Sequence, residues 1–212
     1  MAINFNNLDK TNKDLSKFND SKLLIVTKNQ QKEDVIRLLE SGYHIFGENR
    51  VQEASKKFGD LTANYSFELH LIGPLQTNKV KQALKIFNTI QTLDRAKLID
   101  EVSKCLISNK TFKTKKFYIQ VNIGEEEQKS GIAPKDIFQL YEYALSKNLN
   151  IEGLMCIPPN DASPDKYFEK LYNIKEKVNP SLQLSMGMSN DYKIALKFKS
   201  NIIRIGSLIF QK

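Results

Sequence analysis

The feature that most constrains this chain is its rhythm. Short apolar runs with β-branched members alternate with longer stretches of helical periodicity almost from end to end. The strand-like runs are LLIVTK (23–28), YHIFGE (43–48), FELHLIG (67–73), IFNTIQT (86–92), FYIQVNI (117–123), IEGLMCI (151–157), LQLSM (182–186) and NIIRIG (201–206). Between them lie EDVIRLLES, NRVQEASKKF, NKVKQALKI, RAKLIDEVSKCLI, PKDIFQLYEYALSKN, DKYFEKLYNIKEKV and DYKIALKF, which read as helices. This alternation predicts parallel strands joined by crossover helices. Eight such strands match the count of an α/β fold of the (β/α)8 TIM barrel type, here a compact one spanning residues 1–212 as a single domain. An open doubly wound sheet is the alternative. It would normally carry a glycine-rich phosphate loop after its first strand, and TKNQQKED has no glycine. No Gly/Ser- or Pro-rich linker divides the chain, and no repeat beyond the βα rhythm is visible.

Composition narrows the function classes. Hydrophobic residues at 41% and charged residues at 26% are ordinary for a globular protein. No apolar run approaches the ~18–20 residues of a membrane span. The start, MAINFNNLDKTNKDLSKFND, lacks the apolar core of a signal peptide, so a cytoplasmic location is expected, with no membrane partner. Cys105 and Cys156 are far apart, and His44 and His70 stand alone, so neither a disulfide nor a metal site is expected. The net charge of +8 favours anionic partners, from phosphorylated small molecules to nucleic acid. The densest basic stretch, SNKTFKTKKF (108–117), reads as a solvated loop about as well as an RNA contact. No RNP, KH or helix-turn-helix pattern supports the latter, so no nucleic-acid partner is expected.

Barrels gather function at the C-terminal ends of their strands. Polar residues fall on that side here: Lys28 after the first strand, Glu48 and Asn49 after the second, Gly73 with Gln76 and Asn78 after the third and Asn122 after the fifth. Met155 lies near the end of the sixth, Ser185 to Ser189 follow the seventh, and Arg204, Gly206 and Ser207 end the eighth. Lys28 alone would read as a solvated strand-end lysine. Its convergence with six other strand ends instead predicts an amine partly buried at an apolar barrel mouth.

A lysine ammonium becomes nucleophilic when partial burial near other cations lowers its pKa, and the free amine then attacks carbonyls. A carbonyl substrate, as in a barrel aldolase, and the aldehyde of pyridoxal phosphate are the two candidate partners. The last strand favours a phosphate. In IIRIGSLIF, Gly206 permits close backbone approach, and Ser207 offers a hydroxyl and an N–H at a candidate helix start. In MGMSND (186–191), Ser189 reads as the N-cap of another helix, and with Gly206 and Ser207 it would form a shared phosphate cradle.

With these residues in place, the sequence resembles the YggS/PROSC family of pyridoxal phosphate homeostasis proteins. The resemblance runs through LLIVTK, FGENRVQE (46–53), HLIGPLQTNK (70–79), QVNIGEEEQKSGI (120–132), GLMCIPP (153–159), LSMGMSND (184–191) and IIRIGSLIF (202–210). It implies a barrel like the N-terminal domain of alanine racemases, with pyridoxal 5′-phosphate held on Lys28 as an internal aldimine. It further implies that Ser189, Gly206 and Ser207 hold the phosphate, that Arg204 faces the pyridine nitrogen, and that Asn49, Ile72 and Met186 line the pocket. Two departures from the family pattern stand out. The chain reads Phe210-Gln211-Lys212 where the family continues with glycine and a basic residue, which predicts weak C-terminal capping. The segment before the first strand is short and polar, which casts doubt on its usual covering helix.

The resemblance implies a carrier that protects the cofactor and supplies apoenzymes, in the form of a monomer. Arginine can only donate, so Arg204 would leave the ring nitrogen unprotonated and weaken carbanion chemistry. Racemisation would also need a second acid/base, which alanine racemases take from an additional domain and a neighbouring subunit. A weak racemase or lyase is the alternative. Lys129, in QKSG, is a candidate for release of the cofactor by transaldimination, although it reads first as a solvated loop lysine.

Overall fold

Each of the eight strand-like runs forms a strand, and the strands close on themselves in chain order. The computed structural model describes residues 2–160 and 163–211. Its elements are β1 (Ala2–Ile3), α1 (Phe5–Leu15), β2 (Lys22–Val26), α2 (Lys32–Glu40), β3 (Ile45–Glu48), α3 (Val51–Phe58), β4 (Glu68–Leu71), α4 (Val80–Ile86) and β5 (Thr89–Leu93). They continue with α5 (Ala96–Ser108), β6 (Lys116–Val121), α6 (Ile137–Ser146), β7 (Ile151–Cys156), α7 (Pro164–Val178), β8 (Gln183–Ser185), α8 (Tyr192–Lys197), β9 (Ile202–Ile205) and β10 (Phe210–Gln211). Strands β2 to β9 make a closed barrel, with β9 pairing back onto β2 in parallel so that Leu24 lies beside Arg204. Among the described residues, no helix is long and apolar enough to cross a membrane.

The two-residue period of each strand sorts its side chains. Leu24 points into the lumen, where it meets Ile72, Tyr118, Met155 and Ile202. Ile25 belongs instead to the larger core between barrel and helices, with Val35 and Leu38 of α2. Leu24 and Ile25 are both fully buried, and burial of each such side chain stabilises the fold by about 1.5–3 kcal/mol. Helix α2 opens with Glu33 and Asp34, whose charges suit a helix N-terminus, and buries Val35, Leu38 and Leu39 on one stripe.

Barrel lumens are usually filled by bulky branched residues. This one also buries His70, Thr89, Gln91, Ser185 and Arg204. Polar groups at such depth must find partners, and the partners they find shape the site described below.

The N-terminal segment corrects one expectation. Despite its polar sequence, α1 forms over Phe5–Leu15, capped by the Asn4 side chain accepting from the Asn7 N–H, with Leu8, Thr11 and Leu15 buried. Three buried positions at helical spacing are enough to dock it. The C-terminus is likewise tied down, by strand pairing rather than by a helix cap: Ile3 of β1 pairs antiparallel with Phe210 of β10. Asn4 N–H donates to the Ile209 carbonyl at 2.8 Å and Asn7 Nδ2 to the Leu208 carbonyl at 2.8 Å.

A cleft at the barrel mouth

The C-terminal ends of the adjacent strands β8, β9 and β2 border a cleft of about 410 Å³ whose lining includes Lys28, Ser189, Arg204, Gly206 and Ser207. Five of the eight residues singled out from sequence therefore meet in one place. Val26, Lys129, Ile157 and Asp191 complete much of its wall.

Lys28 continues the inward-facing series Leu24, Val26 one step past the end of β2. It is exposed, where the sequence predicted partial burial, because the cleft is open at that rim. Among the described residues its ammonium has no hydrogen-bond or ion-pair partner. Its backbone is better fixed: Gln30 N–H donates to the Thr27 carbonyl at 3.0 Å, and Asn29 takes a left-handed conformation with φ 61°. Asparagine tolerates that region better than most residues.

The cradle is built differently from its prediction. Ser189 is not a helix N-cap, because α8 starts three residues later and is preceded by Asp191. Its Oγ instead accepts from the Leu208 N–H at 3.2 Å, joining the two loops of the cradle. Gly206 and Ser207 open a turn rather than a helix, with Ile209 and Phe210 N–H groups both donating to the Gly206 carbonyl. A Cβ at Gly206 would meet the Cβ and carbonyl oxygen of Val26 at 3.2 Å, so glycine keeps this turn tight against the strand that carries Lys28. The bonds from Asn4 and Asn7 to the 208–209 backbone support the turn from below.

Arg204 is 3% exposed. Nη1 donates to Ser185 Oγ at 2.8 Å and Nη2 to the Cys156 carbonyl at 2.7 Å, which leaves other N–H groups for a ligand. No carboxylate lies at ion-pair distance from it among the described residues, and burial pulls its pKa down while Cys156 and Asp191 oppose that shift. Asp191 is itself pushed up by burial, partly offset by the Met188 N–H that its carboxylate accepts. A buried guanidinium without a counter-charge calls for an acceptor in the cleft. Behind it runs a polar chain: Ser185 Oγ donates to Gln91 Oε1 at 2.6 Å, Gln91 Nε2 lies 2.7 Å from His70 Nδ1, and His70 Nε2 lies 3.1 Å from Glu68 Oε1. That last pair lies within ion-pair distance, but Nε2 is not aligned for a hydrogen bond.

The other predicted residues sit elsewhere. Asn49 is half-buried in the loop after β3, its backbone pressed against Gly73, and Ile72 packs in the lumen cluster that Val26 also touches. Met186 is fully buried in the outer core with Ile203 and Ile205, one residue out of phase with the inward Ser185. Glu48 lies at a strand end as predicted, but it turns outward to Lys57 of α3. Lys129, read first as solvated, reaches the cleft wall and pairs with Glu126 at 2.5 Å while donating to the Pro158 carbonyl. Asp191 and Ile157 were missed, and Asp191 had only its place in the MSND run as a signal.

A larger groove of about 850 Å³ lies on the flank, lined by Phe58, Phe67, Lys85 and Lys113 among others. Phe67, Asn88 and Lys113 in its wall precede β4, β5 and β6, which places it at the opposite ends of the strands and away from every predicted site residue. No group of three or more metal-ligating side chains occurs among the described residues.

Residues 3–212 match the sequence profile described as alanine racemase, N-terminal domain. The chain is 39% identical over 201 residues to the pyridoxal phosphate homeostasis protein of Aquifex aeolicus, covering 91% of this chain and 87% of that protein. It is 37% identical over 203 residues to the protein of the same description from Haemophilus influenzae, covering 91% and 85%. The structure of PipY from Synechococcus elongatus PCC7942 with PLP bound superposes with a TM-score of 0.84 at 28% identity, covering 97% of this chain and 99% of that one. Alanine racemase from Clostridium difficile 630 shares the fold with a TM-score of 0.74 at 14% identity, and the chain spans 58% of its length.

Proposed function

The chain belongs to the alanine racemase N-terminal domain family, and from that premise we propose that it is a pyridoxal 5′-phosphate homeostasis protein that carries the cofactor on Lys28 and supplies it to apoenzymes. The observation that carries this reading is the meeting of the unpartnered Lys28 amine, the buried Arg204 guanidinium and the Ser189–Gly206–Ser207 cradle in one cleft. When bound, the cofactor supplies an aldehyde able to condense with an amine.

The residues present fit the group. Ser189 and Ser207 offer hydroxyls, and the Gly206 turn lets backbone N–H groups come close to phosphate oxygens. Arg204 donates toward a ring nitrogen and, as a permanent cation, cannot accept a proton from it. Lys28, open at the rim, is accessible both to incoming cofactor and to an amine that would displace it.

A carrier is favoured over a racemase or lyase by the state of the other titratable groups in the wall. Lys129 is paired with Glu126, and Asp191 accepts from the Met188 N–H, so both are engaged in holding loops. The test is covalent trapping. Borohydride reduction of the loaded protein should fix one cofactor on the peptide bearing Lys28, and Lys28→Ala should abolish it; full-stoichiometry fixation on another lysine sinks the assignment. Incubation with L-alanine in D2O should show no α-hydrogen exchange above that of the same concentration of free cofactor. Exchange at ~1 s⁻¹ or faster would favour the enzyme.

A further inference from the structure

The end of β2 is held from behind by a charge cluster outside the cleft, buried at Glu48 and Lys57 and part-exposed at Glu53. Glu48 closes β3, and Glu53 and Lys57 stand one turn apart on α3. Lys57 Nζ donates to Glu48 Oε1 at 2.7 Å, to Glu53 Oε1 at 3.2 Å and to the Thr27 carbonyl at 2.6 Å. Its three donors are thereby all engaged. Thr27 Oγ1 donates to Glu48 Oε1 at 2.7 Å, and the Asn29 N–H donates to Glu53 Oε1 at 2.7 Å. Both neighbours of Lys28 are therefore tied to the cluster, whereas the Lys28 ammonium has no partner among the described residues.

The stability of the barrel does not account for this arrangement. Glu48 is fully buried and the Lys57 side chain is 6% exposed. Glu48 Oε2 has no hydrogen-bond partner among the described residues, and burial raises the carboxyl's pKa against the pull of Lys57 and Thr27. Apolar residues of similar volume often stabilise a fold as well as a buried ion pair does. What they cannot do is fix the direction of a backbone carbonyl and a backbone N–H. A long, flexible amine reacts efficiently at a fixed point only when the backbone that carries it is held.

We propose that Lys57, Glu48 and Glu53 are positioning residues for Lys28, setting the Thr27–Asn29 backbone so that the amine reaches into the cleft. This rests on the reading that Lys28 is the covalent attachment point, so the wild-type protein is tested first. If borohydride fixes no cofactor on its Lys28, that reading falls and the proposal falls with it.

Given fixation in the wild type, two variants decide the proposal: the apolar pair Glu48→Leu with Lys57→Met, and Glu53→Ala. Three quantities are measured for each: the melting temperature of the cofactor-free protein, the affinity for pyridoxine 5′-phosphate, and the rate at which a borohydride-reducible bond to Lys28 forms. Pyridoxine 5′-phosphate has the ring and phosphate but no aldehyde, and it reports on the cleft without the covalent step. The expected result is a folded protein, pyridoxine 5′-phosphate affinity within about twofold of wild type, and bond formation slowed at least ~10-fold in the double variant, with a smaller loss in Glu53→Ala. Wild-type rates in both variants would overturn the proposal, as would a parallel loss of pyridoxine 5′-phosphate affinity, which would mean that the cluster shapes the whole cleft. Should the double variant not fold, Glu53→Ala decides alone.

Discussion

Ser185→Ala tests whether the polar chain through the barrel lumen holds Arg204. Ser185 is fully buried. Its hydroxyl accepts from Arg204 Nη1 at 2.8 Å and donates to Gln91 Oε1 at 2.6 Å. Alanine would strand one N–H of a buried cation and one amide oxygen. Each orphaned group costs about 1–3 kcal/mol, so roughly 2–6 kcal/mol of stability should be lost, the lower end applying if a water enters the vacated space. For a chain of this length each kcal/mol moves Tm by about 2–4 °C, which gives a fall of roughly 4–24 °C. Urea unfolding of the cofactor-free protein, followed by circular dichroism, measures the loss directly. Thr62→Ala is the control: its exposed hydroxyl bonds the Gly59 carbonyl at 3.3 Å, and its removal should cost no more than about 0.5 kcal/mol. If Ser185→Ala were as mild as the control, the lumen chain would not be what holds Arg204, and its apparent continuity from Glu68 would have no energetic content.

The cradle predicts that pyridoxal without its phosphate binds far more weakly than the ester, with each charge-assisted hydrogen bond lost costing about 1.5–3 kcal/mol; isothermal titration giving equal affinities would remove Ser189, Gly206 and Ser207 from the site. Burial pushes the Cys156 thiol up to about 12 and also raises that of Cys105, so an aromatic disulfide reagent at pH 8 should react with both only after denaturation, and a fast native phase would contradict the buried placement. The Glu68 carboxyl is held down to about 2, chiefly by the approach of His70, while burial works the other way. A carboxyl depressed in the folded state stabilises above its unfolded pKa, near 4.3, and loses that contribution as pH falls toward 2. The stability gap between wild type and Glu68→Gln in urea titrations should therefore stay constant above about pH 5 and close between about pH 4.5 and 2; a gap that persists at pH 2 would refute the pairing.

What the sequence determined by itself is what local periodicity can encode. Short apolar runs alternating with helical stretches set the number of strands, and that number implied closure, because a strand buried on both faces leaves an apolar signature that needs no knowledge of its neighbours. The same logic brought Lys28, Arg204, Gly206 and Ser207 to one mouth. It failed by a single residue at Glu48, which turns outward beside the inward Gly47, while Met186, placed in the pocket wall by the resemblance, faces the outer core because Ser185 faces in. It also undervalued α1, where three buried positions in a polar segment dock a helix whose composition alone argued against it.

Only the tertiary structure decided the rest. Ser185 meets Gln91 across 94 residues of chain and Lys57 meets Thr27 across 30. Hydrogen bonds between such distant side chains leave no periodic trace, because each partner is buried for a reason supplied by the other. Their existence depends on barrel closure, which brings β5 opposite β8 and sets α3 behind the end of β2. The open rim that exposes Lys28 is decided in the same way, by which loops stand over the mouth once the strands have closed.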